Sequence, residues 1–163
     1  MSEADRERWD RKYREGGGGT EPSSFLLSLE GVLPTRGRAL DLAGGRGRHA
    51  RWLARRGLDV TLADVSPVGL ALAREEAARA GVTLGTVLVD LETRPVPSGP
   101  WDVILVFHYV HRPLFEQLPA LLAPGGLFVF CQATVKNLER HPKPPRGYLP
   151  TCGSAEFGGP IGP

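Results

Sequence analysis

Three carboxylates and a cluster of glycines stand where a nucleotide-like ligand would need them. Asp41 is followed by Leu42-Ala43-Gly44-Gly45-Arg46-Gly47, an acid at the end of an apolar stretch and then glycines that open a helix. Gly45 and Gly47 let the backbone approach a ligand closely. A helix start there offers free N–H groups to an anion, either a phosphate or the carboxylate of an amino acid. Asp64 closes the next apolar stretch, where a carboxylate can accept hydrogen bonds from both hydroxyls of a ribose. Asp90 closes the third, in Val89-Asp90-Leu91-Glu92, and can accept from an adenine amino group. Each acid also has a plain alternative: a tight turn without a ligand, a turn before the cap Ser66, a solvated strand end. All three together are harder to dismiss, because acids at the carboxyl ends of three consecutive strands line one crevice. A second group, Phe107-His108-Tyr109-Val110-His111-Arg112, follows the fourth apolar stretch. His108 or His111 can act there as a general base, since imidazole titrates near neutrality. The alternative is that Tyr109 and one histidine pack the loop.

For these residues to meet, strands and helices must alternate around them. Residues 2–14 read as a polar helix with Trp9 and Tyr13 on one face, and Gly16 to Gly19 as a flexible break. Pro22 to Glu30 reads as a short amphipathic helix with Phe25, Leu26 and Leu29 inward. The first strand, Arg38 to Ala43, runs into the glycine turn. The helix beginning near Gly47 buries Ala50, Leu53 and Ala54 and ends at Gly57, a C′ glycine. The second strand is Asp59 to Ala63; Ser66-Pro67 then gives an N-cap and an N1 proline for a helix to about Ala80. Thr83 to Val89 is the third strand. Trp101 to Phe107, almost continuously apolar, is a fourth strand of the kind buried on both faces. Pro113 to Leu122 is a helix that Pro124-Gly125-Gly126 stops, and Leu127 to Cys131 is a fifth strand. Strands separated by such helices imply right-handed crossovers. The fold class is α/β: a three-layer sandwich around a mostly parallel sheet of about five strands.

Composition narrows the partners. A chain of 163 residues with 41% apolar and 23% charged residues can bury the core of one soluble domain. A net charge of +2 gives no strong pull towards nucleic acid or an anionic membrane surface. Neither partner is expected, and no apolar run is long enough to span a bilayer. The N-terminus is densely charged and lacks a signal-peptide core, so a cytoplasmic location is expected. Cys131 and Cys152 have no metal-ligand or redox spacing, and no metal site is expected.

The stretch Asp41 to Gly47 resembles the D-x-G-x-G-x-G motif of class I S-adenosylmethionine-dependent methyltransferases, with Asp64 as their ribose acid and Asp90 as their adenine-side acid. The resemblance runs from about Trp9 to Val129. Trp9-Asp10-Arg11-Lys12-Tyr13 is similar to the N-terminal lid helix of the small tellurite-resistance methyltransferases. It implies a Rossmann-like fold, S-adenosylmethionine as cofactor, and a cofactor site drawn from Asp41, Ala43, Gly45, Gly47, Asp64, Val65, Asp90, Leu91, Phe107 and Tyr13. Asp41 is implied to engage the methionine amino group, and the backbone around Phe107 to face the methionine end. Ala43 departs from the family by standing at its first glycine. The acceptor side implied is His108, Tyr109 and His111. In-line positioning against a sulfonium leaving group can supply most of the rate without a dedicated base. A nicotinamide-dependent oxidoreductase is the main rival; Asp41 argues against it, because an acid at that turn repels a pyrophosphate and welcomes a zwitterionic amino acid. The other rival is a truncated domain that binds cofactor without turnover. A small-molecule acceptor is expected, with metalloid oxyanion, protein and RNA base left open.

The organisation implied is lid helices over 1–31, a cofactor-binding domain over 32–135 and an irregular Pro/Gly-rich tail over 136–163. Family members continue with a helix and a C-terminal antiparallel hairpin. Here Pro142, Pro144, Pro145, Pro150, Pro160 and Pro163 leave no room for one. The chain is therefore expected to be a truncated or frame-shifted form of a longer enzyme; a natural minimal form that dimerises or drapes its tail is the alternative. Either leaves the fifth strand as an edge open to self-association.

Overall fold

A computed structural model of the chain describes residues 1–134. The elements in order are α1 (Glu3–Arg14), α2 (Ser24–Ser28), β1 (Arg38–Leu42), α3 (Arg48–Arg55), β2 (Asp59–Asp64), α4 (Pro67–Arg79), β3 (Gly85–Leu88), β4 (Trp101–Phe107), α5 (Arg112–Leu121) and β5 (Leu122–Cys131). The strands form one sheet in the order β3-β2-β1-β4-β5, and all four pairings are parallel. This is the Rossmann-like α/β sandwich expected from the alternation. The expectations for the tail over 136–163 and for Cys152 lie outside the described residues.

Strand alternation divides the core into two layers. Val103, Leu105 and Phe107 face the layer built with Leu53, Leu62 and Leu70 of the α3–α4 side. Leu40, Leu42, Ile104 and Val106 face the layer closed by Leu114 and Leu118 of α5. Val103 to Val106 have no exposed surface, so β4 is buried on both faces. Among the described residues no helix is long and apolar enough to cross a membrane.

Several boundaries differ from the sequence expectation. β3 spans only Gly85–Leu88, because its single partner β2 offers pairing from Thr61 to Asp64 and no further. Asp90 therefore stands beyond the strand end. α2 is one turn capped by Ser23, whose hydroxyl accepts from the Leu26 N–H. Pro124-Gly125-Gly126 does not separate α5 from a strand beginning at Leu127. β5 starts directly at Leu122, which pairs with Trp101, while Leu127 pairs with Val103. Pro124 has no N–H to give the ladder, so these residues form an irregularity inside the strand.

The glycines after α1 are held rather than loose. Arg46 donates to the carbonyls of Gly16 (3.1 Å) and Gly17 (3.3 Å), and Arg51 donates to that of Thr20 (2.5 Å). Both guanidiniums also pair with Glu76 of α4. α1 itself lies across the start of α4. Ser66 caps α4 by accepting from the Gly69 N–H (3.0 Å), and its hydroxyl donates to Asp10 of α1, which is buried. Tyr13 stacks on Trp9 at 5.7 Å between ring centres and sits over the glycine turn.

That docking explains the glycine at position 45. Its φ is +57°, and a Cβ there would fall 2.8 Å from Cζ of Tyr13 and closer still to the hydroxyl. Replacing Gly45 with Ala is expected to cost about 1–3 kcal/mol: the left-handed backbone alone costs roughly 1–2 for a residue with a Cβ, and Tyr13 must also move. Urea denaturation checks this, and an unchanged midpoint would contradict both the left-handed backbone at Gly45 and the seating of Tyr13 on the turn.

Candidate functional site

The carboxyl ends of β1, β2 and β4 open onto a cleft of about 270 Å³ roofed by α1. Its walls are the glycine turn (Ala43, Gly44, Gly45, Arg46), the end of β2 (Asp64, Val65), the residues after β3 (Val89, Leu91) and the end of β4 (Phe107, His108, Tyr109). Met1, Trp9, Lys12 and Tyr13 from the N-terminal segment, Gly18, and Arg48 and His49 from α3 complete it. Of the residues singled out from sequence, Tyr13, Ala43, Gly45, Asp64, Val65, Leu91, Phe107, His108 and Tyr109 meet in this one cleft. Asp41, Gly47, Asp90 and His111 do not line it.

Asp64 is the acid at the cleft floor, with 4% of its surface exposed. One carboxylate oxygen accepts from the Gly45 N–H (2.8 Å) and the other from the Ser66 N–H (2.8 Å). Burial pushes its pKa up, and these N–H donors oppose that shift. The Val65 N–H also acts on the carboxylate, so of its roughly four acceptor positions about one stays free of the backbone.

Asp41 lies beneath the turn rather than on its ligand side. It is 1% exposed, and its Oδ2 accepts from the Ala50 N–H at 3.1 Å. A Cβ on Gly44 would lie 2.6 Å from that oxygen, so Gly44 is the lid over Asp41. Burial raises the Asp41 pKa to about 7; the Ala50 N–H opposes the shift and the Asp64 charge adds to it. Ala43, where the family has its first glycine, adopts φ +53°. The turn thus imposes a left-handed backbone at this position, which accounts for the usual glycine. Gly47 also has a positive φ (+69°) and forms the N-cap of α3 under the turn.

On the adenine side, the Asp90 carboxylate holds the Met1 ammonium at 2.9 and 3.0 Å and accepts from the Glu92 N–H at 3.0 Å. At the opposite end, His108 follows β4 with φ +57°, and its N–H donates to the Cys131 carbonyl at 2.8 Å. Burial, reinforced by the nearby Arg48 and Lys12 charges, lowers its pKa. Tyr109 has a buried hydroxyl without a hydrogen-bond partner, and burial raises its pKa. His111 is the N-cap residue of α5. Composition and spacing did not point to Trp9, Lys12, Arg46, Arg48 or His49 as wall residues. His49 packs on Phe107 at 4.1 Å between ring centres, and burial lowers its pKa to about 3, so it is neutral.

A parallel sheet with a glycine turn at the end of β1 and a buried acid at the end of β2 is the site of nucleotide-binding α/β domains, S-adenosylmethionine-dependent methyltransferases among them. Residues 39–126 match the methyltransferase domain family, and the chain belongs to it. It is 33% identical over 127 residues to the ubiquinone biosynthesis O-methyltransferase of Cereibacter sphaeroides, a match covering 74% of this chain and 49% of that protein. The chain thus spans about half the length of that curated relative. Among solved structures it is similar to an S-adenosylmethionine-dependent methyltransferase from Mesorhizobium loti, at 30% identity and TM-score 0.58, covering 71% of this chain and 56% of that one. TehB from Haemophilus influenzae shares the fold alone, at 19% identity and TM-score 0.61, over 76% of this chain and 44% of that one. A nicotinamide-dependent oxidoreductase is not favoured.

The raised pKa of Asp41 has a sign that can be measured. The folded chain keeps a proton that the unfolded chain releases above pH about 3.8. The associated stability is present in full below that value and is lost as pH rises through about 7. The unfolding free energy of the native chain minus that of Asp41→Asn, whose amide stays neutral, is expected to fall steadily between pH 4 and pH 8. A difference that rises with pH would place an ionised, stabilising carboxylate at Asp41.

Proposed function

We propose that the chain transfers the methyl group of S-adenosylmethionine to a small-molecule acceptor by in-line displacement. Asp64 carries this proposal: it is an acid on the cleft floor that orders the glycine turn and keeps acceptor capacity for a ribose hydroxyl. The adenine lies between Val65 and Leu91 on the Asp90 side, and the methionine end between the turn, Tyr13 and Phe107. Asp41 supports the turn from below and leaves the methionine moiety to the backbone of Ala43, Gly45 and Arg46. Gly47 sets the start of α3.

The acceptor enters from the end where His108 and Tyr109 line the cleft. Its lone pair forms the new bond to the methyl carbon as the carbon–sulfur bond breaks, and both electrons of that bond stay on sulfur. Discharge of the sulfonium makes orientation the main contribution of the protein, and well-oriented reactants can gain roughly 7–11 kcal/mol over free encounter. His108 is the base for an acceptor with a proton to lose. His111 stands at the N-cap position of α5, outside the cleft lining, and takes no part in this step.

The small-molecule acceptor is supported by the relative named for ubiquinone biosynthesis. The tellurite-resistance-like type is supported by α1, which brings Trp9, Lys12 and Tyr13 to the cleft. The position of β5 as the outermost described strand supports self-association through that edge.

Calorimetric titration with S-adenosylhomocysteine tests the cofactor, with NADH as the parallel ligand. Micromolar binding of S-adenosylhomocysteine is expected, with none of NADH, and Asp64→Ala should weaken it at least about tenfold, some 1.4 kcal/mol. Binding of NADH instead would overturn the proposal.

A further inference from the structure

The two ends of the cleft differ in their balance of charge: the acids at the β2 side hold the Met1 ammonium, whereas the cations Lys12 and Arg48 at the other side make no ion pair among the described residues. Asp64 ends β2 with Asp90 just beyond the cleft, whereas Lys12 and Arg48 are close enough to His108 for both charges to act on it, and His49 stacks on Phe107 at the end of β4. Most arginines around this region are neutralised: Arg46 and Arg51 share Glu76, and Arg56 pairs with Glu30 at 2.8 Å. Arg48 is not. Among the described residues no carboxylate lies within ion-pair distance of it, and the same holds for Lys12, whose ammonium sits 4.3 Å above the Trp9 ring.

Two features make this arrangement costly without a ligand. Arg48 is the first residue of α3, where the helix dipole disfavours a cation, and no acid shares that first turn. Lys12 is pushed towards its neutral form by burial and by the Arg8 and Arg48 charges, so the two cleft cations repel each other.

His49 adds an independent observation. It lines the same end of the cleft with 3% of its surface exposed, and its Nε2 is buried without a hydrogen-bond partner. An unsatisfied buried nitrogen costs about 1–3 kcal/mol, and a ligand oxygen would relieve it once the imidazole turns its Nε2–H to the cleft. S-adenosylmethionine does not cancel the charge: its sulfonium, ammonium and carboxylate sum to one further positive charge.

We propose that the acceptor is an anion, a small carboxylate or comparable oxyanion, held between Arg48 and Lys12 with a hydrogen bond to Nε2 of His49. This rests on the methyltransferase function proposed above. The anion would sit beside the sulfonium, so its binding and that of the cofactor reinforce each other.

The test uses the full chain saturated with S-adenosylhomocysteine and titrated with benzoate, phenylphosphonate and the neutral benzamide. At least one anion is expected to bind tenfold or more tighter than benzamide. Arg48→Gln should abolish that preference, Arg48→Lys should retain part of it, and each should change S-adenosylhomocysteine affinity less than threefold. His49→Phe, which keeps a ring against Phe107, should weaken the anion at least threefold with the cofactor product unaffected. Circular dichroism of each variant confirms folding. Equal binding of benzamide, or no binding of either anion, overturns the proposal while leaving the cofactor site intact. A loss of S-adenosylhomocysteine affinity in Arg48→Gln as large as the loss of the anion also overturns it, by assigning the guanidinium to the cofactor carboxylate. Failure of the unaltered chain to bind S-adenosylhomocysteine would overturn the methyltransferase proposal itself, and this one with it.

Discussion

The site depends on one buried carboxylate that joins two strand exits. Asp64 ends β2 and reaches across to the Gly45 N–H at the exit of β1, while its other oxygen holds the Ser66 N–H that opens α4. Hydrogen bonds to an ionised acceptor are roughly twice as strong as neutral ones, and burial removes water as a competitor. The glycine turn, the start of α4 and the floor of the cleft are therefore fixed by one side chain. One layer lower the Asp41 carboxyl, protonated up to about pH 7, accepts from the Ala50 N–H in the first turn of α3. The two acids are also coupled to each other, since the Asp64 charge helps keep Asp41 protonated near neutral pH.

The lid over this floor is held by polar contacts as much as by apolar burial. Ser66 caps α4 and at the same time donates to Asp10, so the helix that begins beside the ligand also anchors the helix above it. Glu76 gathers Arg46 and Arg51, and those arginines donate to the carbonyls of Gly16, Gly17 and Thr20 after α1. Tyr13 meets the turn at a glycine because no larger residue fits under its hydroxyl. The cleft is consequently shaped by contacts between segments far apart in sequence.

That distance explains what could be read from the residues alone. The strand–helix alternation, the N-cap at Ser66 and the doubly buried β4 are local patterns with a single period, and they appear where expected. Asp64 was legible because a strand end and a helix cap bracket it. The side of the turn on which the Asp41 carboxylate lies was not, since spacing fixes the backbone path but not which face of a loop covers an acid. The Gly16–Gly19 segment looked loose because its partner, Arg46, comes from the distant glycine turn. Arg48 carried one overlooked signal: a cation in the first turn of a helix runs against the dipole and calls for a reason. His49 had none, because its neighbour Phe107 comes from β4.

The most direct test of the account is diffraction from crystals of the chain grown with S-adenosylhomocysteine. It predicts density with a ribose hydroxyl on Asp64, the adenine towards Leu91 and the sulfur facing the Phe107–His108 end, with Asp41 still hydrogen-bonded to Ala50 beneath the turn. A nucleoside bound in the reverse direction, or an Asp41 carboxylate turned out to meet the ligand, would contradict it.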